Sequence, residues 1–299
     1  MYSIYNNSSE FSGNNTTMTR LSRILNLPIV NKIKNKIIGI HAYKFGKQVI
    51  DKNLDYILII GGTDINIDYY NSDKRKIIIK AILQAKYIVT FNNVYRYTLR
   101  LNFNLDNIVA IPQSVNFEEP NYFNLRKFLY DNHKIVDPEK IFIMVGNLRK
   151  VKDPYYLKDV FKKLYKKNII LVIIGKIIEG EYENVPGIYH IGPLEYLDIL
   201  SCYKQVDGLI NTSISEGMST AILEAMLYRC PVYARRNIGN TAIIDDNITG
   251  FIFDQPEEFM KFYNIYDNNI IENAHNYVTR YHSNKIEKER YLNLITDDK

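Results

Sequence analysis

The chain has 299 residues, 46% of them hydrophobic, and a formal net charge of +5. That length and composition suit about two globular domains, and the charge falls short of a nucleic-acid-binding footprint. No apolar run approaches the roughly 20 residues of a membrane span, no signal-like apolar segment opens the chain, and Cys202 and Cys230 sit in apolar or helical surroundings, as reduced core cysteines do. The expectation is a cytoplasmic protein with neither nucleic acid nor a membrane span.

In chain order, the weak strand Tyr2-Ser3-Ile4-Tyr5 leads to the glycine turn Ser12-Gly13-Asn14-Asn15 and a helix over 17–27. Short apolar runs predict strands at 36–40, 56–60, 87–91 and 108–111, with helices at 42–51, 74–85 and 93–101. Residues 116–140 interrupt this rhythm. They are polar, contain Pro120 and Pro138, and hold a short helix at 122–130. Strands follow at 141–145, 169–174, 188–190, 208–211, 232–234 and 251–253, alternating with helices at 155–166, 195–203 and 220–228. Alternation of this kind predicts parallel sheets covered by helices on both faces. The expected organisation is a first Rossmann-like domain at 1–115, a linker at 116–140, a second Rossmann-like domain at 141–275 and a charged helical tail at 276–299.

The most informative stretch is Ser215-Glu216-Gly217-Met218-Ser219-Thr220-Ala221-Ile222-Leu223-Glu224. It follows a predicted strand and leads into an apolar helix. The N–H groups of Gly217, Met218, Ser219 and Thr220 would lie at the positive end of the helix, where an anion, commonly phosphate, binds. Glu216 and Glu224 can accept hydrogen bonds from vicinal hydroxyls, and Glu224 lies in an apolar helix where an idle carboxylate would be costly. Phosphate donors beside hydroxyl acceptors describe a nucleotide-sugar pocket. Upstream, Val145-Gly146-Asn147-Leu148-Arg149-Lys150-Val151-Lys152-Asp153-Pro154 follows a strand, so Arg149 and Lys152 can point to its C-terminal end, where open α/β sheets bind ligands.

Glu216 and Glu224 match the E-x7-E pattern of retaining glycosyltransferases of the GT-B fold, and the chain resembles the glycosyltransferase group 1 superfamily. The Arg149–Lys152 loop resembles that superfamily's donor-phosphate loop. His41-Ala42-Tyr43-Lys44-Phe45-Gly46 and Gly61-Gly62-Thr63-Asp64-Ile65-Asn66 resemble a short subfamily within it. The resemblance implies two Rossmann-like domains with parallel sheets facing a central cleft, and a C-terminal helix that packs back on the first domain. It implies that Arg149 and Lys152 bind the donor diphosphate, that Glu224 binds its ribose and that Glu216 faces the transferred sugar. His41 would hydrogen-bond a sugar hydroxyl. Gly13, Thr63 and Asp64 would lie on the acceptor side, with Asp64 accepting a hydroxyl.

Transfer from a nucleotide sugar needs stabilisation of the charge that grows on the leaving diphosphate. The chain has no Asp-x-Asp motif and no His/Cys ligand cluster, so Arg149 and Lys152 are expected to act without a metal or other cofactor. The expected function is retaining, metal-independent sugar transfer from a nucleotide-sugar donor to an acceptor the sequence does not identify. The alternative is a scaffold of the same fold that binds nucleotide or sugar without turnover. The joint presence of Glu216, Glu224, Arg149 and Lys152 favours the enzyme.

Overall fold

The structure, a computed structural model, describes residues 2–6, 13–33 and 35–296. Ser12 of the predicted turn lies outside them, whereas Gly13 opens the helix Gly13–Leu25. The chain divides into two compact units. The first comprises Met1–Ser114, Ser215–Met218 and His282–Lys299, and the second Val115–Ile214 and Ser219–Tyr281.

The first unit is built on strands β1 (Ser3–Tyr5), β2 (Ile29–Val30), β3 (Ile37–Ile40), β4 (Tyr56–Ile59), β5 (Tyr87–Thr90) and β6 (Ile108–Ala110). They form a parallel sheet in the order β2-β1-β3-β4-β5-β6. β3 and β4 are buried along their whole length, which is why their sequences read as unbroken apolar runs rather than as alternation. The weak first strand is short but paired on both sides, with β2 and with β3. Phe45, from the helix Ala42–Val49, packs edge-on against Tyr56 at 5.5 Å. A Cβ on Gly39 would lie 2.2 Å from the Phe45 ring, so glycine is what lets that ring lie on β3.

The second unit carries β7 (Lys140–Val145), β8 (Ile169–Ile174), β9 (Ile188–Gly192), β10 (Gly208–Asn211), β11 (Val232–Arg235) and β12 (Phe251–Phe253). This sheet is also parallel, in the order β12-β11-β10-β7-β8-β9. Its core centres on Phe142, with Phe161, Tyr233 and Phe259 edge-on around it at 5.2–6.2 Å. In each sheet the chain lays strands outward on one side and then crosses to the other. The reversal falls between β1 and β3 in the first unit and between β7 and β10 in the second. Ligands of open α/β sheets bind at the C-terminal ends of strands beside such a reversal.

Two expectations shift. The linker region is part of the second unit, and its helix is Leu125–His133, with Asn124 capping it through Lys127 N. The tail is two helices, Asn268–Tyr281 and Asn284–Thr296. The chain re-enters the first unit between them, where His282 Nδ1 meets the Gln113 carbonyl at 2.7 Å. Only the second of these helices packs in the first unit, against Gly13–Leu25. Among the described residues no helix is long and apolar enough to cross a membrane.

The helix Asn284–Thr296 is locked by a buried ion pair. Arg20 Nε and Nη2 donate to the two oxygens of Glu287 at 3.0 and 3.1 Å, and Ser114 N donates to the same carboxylate at 2.9 Å. Arg20 is 8% exposed and Glu287 1%. Removing one member of such a pair leaves an uncompensated buried charge. We predict that Arg20→Met lowers the stability of the first unit by about 3–5 kcal/mol, read as a fall in its urea midpoint. A midpoint equal to wild type would show that the pair adds nothing net.

Candidate functional site

In the first unit, His41 follows β3 directly and the Gly61–Asn66 turn follows β4, so both lie at the C-terminal edge of the sheet. His41 adopts φ 77°, a left-handed backbone that is unusual for a side-chain-bearing residue. It caps the helix Ala42–Val49, its Nδ1 accepting the Lys44 N–H at 3.4 Å. With Nδ1 an acceptor, the neutral ring carries its proton on Nε2. Nε2 is 3.2 Å from Thr63 Oγ1 and 3.6 Å from Asp68 Oδ2, and Asp68 pairs with Lys74 at 2.6 Å. His41 is only 3% exposed. Burial lowers its pKa; the charge of Asp64 opposes that shift, as does Asp68, while Lys44 and Lys74 add to it.

Asp64 requires a correction. It is 0% exposed. Its carboxylate accepts N–H groups from Ala42 at 2.8 Å, Gly61 at 3.0 Å, Gly62 at 2.8 Å and Ile65 at 3.2 Å. A buried carboxylate with its lone pairs occupied by backbone donors does not offer itself to an acceptor hydroxyl. Asp64 instead folds the turn that presents half-buried Thr63 beside His41. Gly13 also belongs at this edge. A Cβ built on Gly61 would lie 3.5 Å from Asn14 Oδ1 and 3.9 Å from the His41 ring, and among the described residues nothing lies within 4 Å of one built on Gly13.

Residues Ser215–Met218 belong to the same unit. Three side chains hold their backbone carbonyls: Tyr95 Oη donates to Glu216 O at 2.8 Å, Asn92 Nδ2 to Gly217 O at 3.0 Å and Gln113 Nε2 to Met218 O at 2.9 Å. Asn66 Nδ2 donates to Tyr95 Oη, and to Ser215 Oγ at 2.7 Å. A Cβ on Gly217 would fall 2.5 Å from the Gly61 carbonyl, so this glycine is required by close backbone approach. The helix predicted at 220–228 begins at Thr220, with Ser219 as its cap, accepting from Ile222 N at 3.5 Å. The Asn211 side chain fixes the Ser219 hydroxyl at 3.1 Å. Glu216 and Gly217 therefore precede the helix, with Gly217 at a bend.

In the second unit a small pocket opens at the reversal between β7 and β10, lined by Val145, Gly146, Lys152, Asn211, Thr212 and Ala221. Arg149 and Lys152 bracket a single helical turn after β7. Thr212 Oγ1 reaches the carbonyls of Lys152 and Asp153 at 2.9 and 2.8 Å, and Ile214 N donates to Val151 O at 2.9 Å, so the loop after β10 holds the loop after β7. Glu224 stands in the second turn of the helix Thr220–Leu227. Its two oxygens accept from Tyr196 and Tyr203, each at 3.2 Å. Burial, with Glu224 nearby, raises the pKa of both phenols, which stay donors.

The geometry thus gathers Gly13, His41, Thr63, Asp64, Glu216, Gly217 and Met218 in the first unit, and Arg149, Lys152, Ser219, Thr220 and Glu224 in the second. Asn92, Tyr95, Gln113, Tyr196 and Tyr203, which hydrogen-bond to the Glu216–Met218 segment or to Glu224, are not among the candidates the sequence offers. The only sequence signal for any of them is that Asn92 stands between a strand and a helix, as a cap does.

Residues 126–273 match the family Glycosyl transferases group 1. The chain is 32% identical over 277 residues to glycosyltransferase 1 domain-containing protein 1 of Xenopus tropicalis, covering 86% of this chain and 80% of that one. Among solved structures it is similar to Anabaena HepE in complex with UDP-glucose, with a TM-score of 0.80 at 12% identity over 99% of both chains. It is also similar to TarM, with a TM-score of 0.66 at 19% identity, over 86% of this chain and 54% of the TarM chain. The two parallel sheets and these likenesses give the fold as GT-B.

Because the folded pKa of His41 lies below its ordinary 6.5, protons bind the unfolded chain first. The stability held by the neutral ring is complete above 6.5 and is lost as pH falls through that value toward the folded one. His282, also lowered chiefly by burial, acts in the same direction. We predict a urea midpoint that falls between about pH 7 and about pH 5. The loss should shrink in His41→Asn, which keeps a capping oxygen and tolerates positive φ. An unchanged slope in that variant would show that the ring does not titrate in this window.

Proposed function

The chain belongs to the glycosyl transferases group 1 family, and on that premise we propose that it moves a sugar from a nucleotide-sugar donor to an acceptor with retention of configuration and without a metal. The observation that carries this is in the second unit. One sheet reversal brings the Lys152 loop beside β10, from which the chain runs on to Thr220 and Glu224. That places cationic side chains, helix-terminal N–H groups and a carboxylate steadied by two tyrosines on consecutive elements. UDP-glucose in HepE, and UDP with GlcNAc in the pneumococcal transferase GtfA, support a nucleotide-sugar donor here.

In this proposal Arg149 and Lys152 meet the diphosphate, together with the N–H groups of Gly217, Met218, Ser219 and Thr220. They stabilise the charge that develops as the glycosidic bond breaks, in the place a metal takes in other transferases. Glu224 accepts from the ribose hydroxyls, with Tyr196 and Tyr203 fixing its orientation. Glu216 faces the transferred sugar. The His41 ring, neutral at physiological pH, presents Nε2–H to a sugar hydroxyl in exchange for Thr63. Gly13 and Thr63 serve the acceptor side, while Asp64 keeps their turn in shape. The setting in this proposal is cytoplasmic, and the reduced thiols of Cys202 and Cys230, both buried, support it.

The test is a thermal-shift panel of nucleoside diphosphates with and without EDTA, since a ligand of the native state raises its midpoint. We predict a shift that EDTA does not reduce. Glu224→Ala should weaken binding by roughly 1.5–3 kcal/mol, the scale of hydrogen bonds to a charged group. Equal affinity of the wild type for a nucleoside diphosphate and its 2′,3′-dideoxy analogue would remove Glu224 from the ribose. With a donor in hand, we predict that His41→Asn lowers kcat more than donor affinity, because its contact counts chiefly as the bond breaks. A variant with full kcat would leave His41 a helix cap only. An inverted anomeric centre in the product, read by NMR, would overturn retention.

A further inference from the structure

We propose that Asn92, Tyr95 and Gln113 are positioning residues that aim the backbone of the Glu216 turn at the leaving diphosphate. This rests on the donor site proposed above. Each of the three donates to a carbonyl of consecutive residues, Glu216, Gly217 and Met218. Among the described residues every peptide bond is trans. In a trans peptide the C=O and the following N–H point in opposite directions. Tying each carbonyl therefore turns the N–H that follows it, of Gly217, Met218 and Ser219 in turn, away from the side chain that holds it. Fixed donors of this kind stabilise developing charge because they need no reorganisation when it appears.

The clamp is itself held rigidly. Asn92 Oδ1 accepts the Tyr95 N–H at 2.9 Å while its Nδ2 serves Gly217, and Gln113 Oε1 accepts from Thr17 Oγ1 at 3.1 Å while its Nε2 serves Met218. Asn92 and Gln113 are buried, at 5% and 4% exposure, as is Tyr95 at 3%. Each amide thus has one oxygen committed to its own scaffold and one nitrogen committed to the turn. The close approach of Gly217 to the Gly61 carbonyl leaves the segment little room to relax if those bonds are lost.

That division of labour makes the test selective. Asn92→Asp and Gln113→Glu keep the oxygen that serves the scaffold and replace the donor that serves the turn. The expected result is that the carbonyl carbon resonances of Gly217 and Met218 move upfield in the nucleotide-free protein and that its thermal midpoint falls, since each variant buries a carboxylate beside a carbonyl oxygen. Affinity for UDP should fall roughly five- to ten-fold in each variant, the equivalent of about one hydrogen bond. Affinity for uridine, which has no phosphates, should not change. Unmoved carbonyl resonances would overturn the clamp. Moved resonances with unchanged UDP affinity, or an equal loss for uridine, would overturn its aim at the diphosphate. A wild-type protein that binds no nucleoside diphosphate would sink the donor site itself and the positioning role with it, whereas binding by the wild type and both variants alike would sink the positioning role alone.

Discussion

Parallel pairing is the constraint on which the rest of this molecule depends. Every strand pair in both sheets is parallel, so all C-terminal ends in a sheet share one edge and every return crossing is made elsewhere. His41, Gly61, Asn92 and Gln113 each stand within three residues of the end of β3, β4, β5 or β6. Gly146 and Asn211 stand at the ends of β7 and β10. The candidate residues collect along these edges because each parallel strand delivers the loop that follows it to the same side of its sheet.

What keeps those loops in shape is a set of buried polar side chains that satisfy backbone groups no ladder can reach. Asp64 gathers four N–H groups, Thr212 covers two carbonyls, and Asn92 serves one of each. An unsatisfied buried polar group costs more than a satisfied one gains. These residues therefore select one loop conformation by making the alternatives expensive.

The strands were legible because burial on both faces writes them as runs such as Ile169-Ile170-Leu171-Val172-Ile173-Ile174, all buried. Glu224 and the Arg149–Lys152 loop stand out in the sequence because a glutamate in an apolar helix and a cationic loop after a strand are locally anomalous. Other features do not. The break at His282 depends on Gln113, 169 residues away, and Tyr95 meets Glu216 across 121. Asp64 reads as a functional carboxylate in sequence because nothing local reveals that four backbone donors converge on it. Caps were half legible: Asn92 and Asn124 fit the pattern, whereas His41 as a cap with positive φ has no sequence signature.

The first unit is discontinuous, since Arg20 finds Glu287 only 267 residues later. During vectorial synthesis the guanidinium must wait, without its partner, until a further 267 residues have been made. Every residue of the second unit precedes Glu287 in the chain. The order in which the two units can be completed is thus the reverse of the order in which they are begun, and the half-finished first unit is the nascent species with a charge to keep hydrated and an apolar helix face still uncovered.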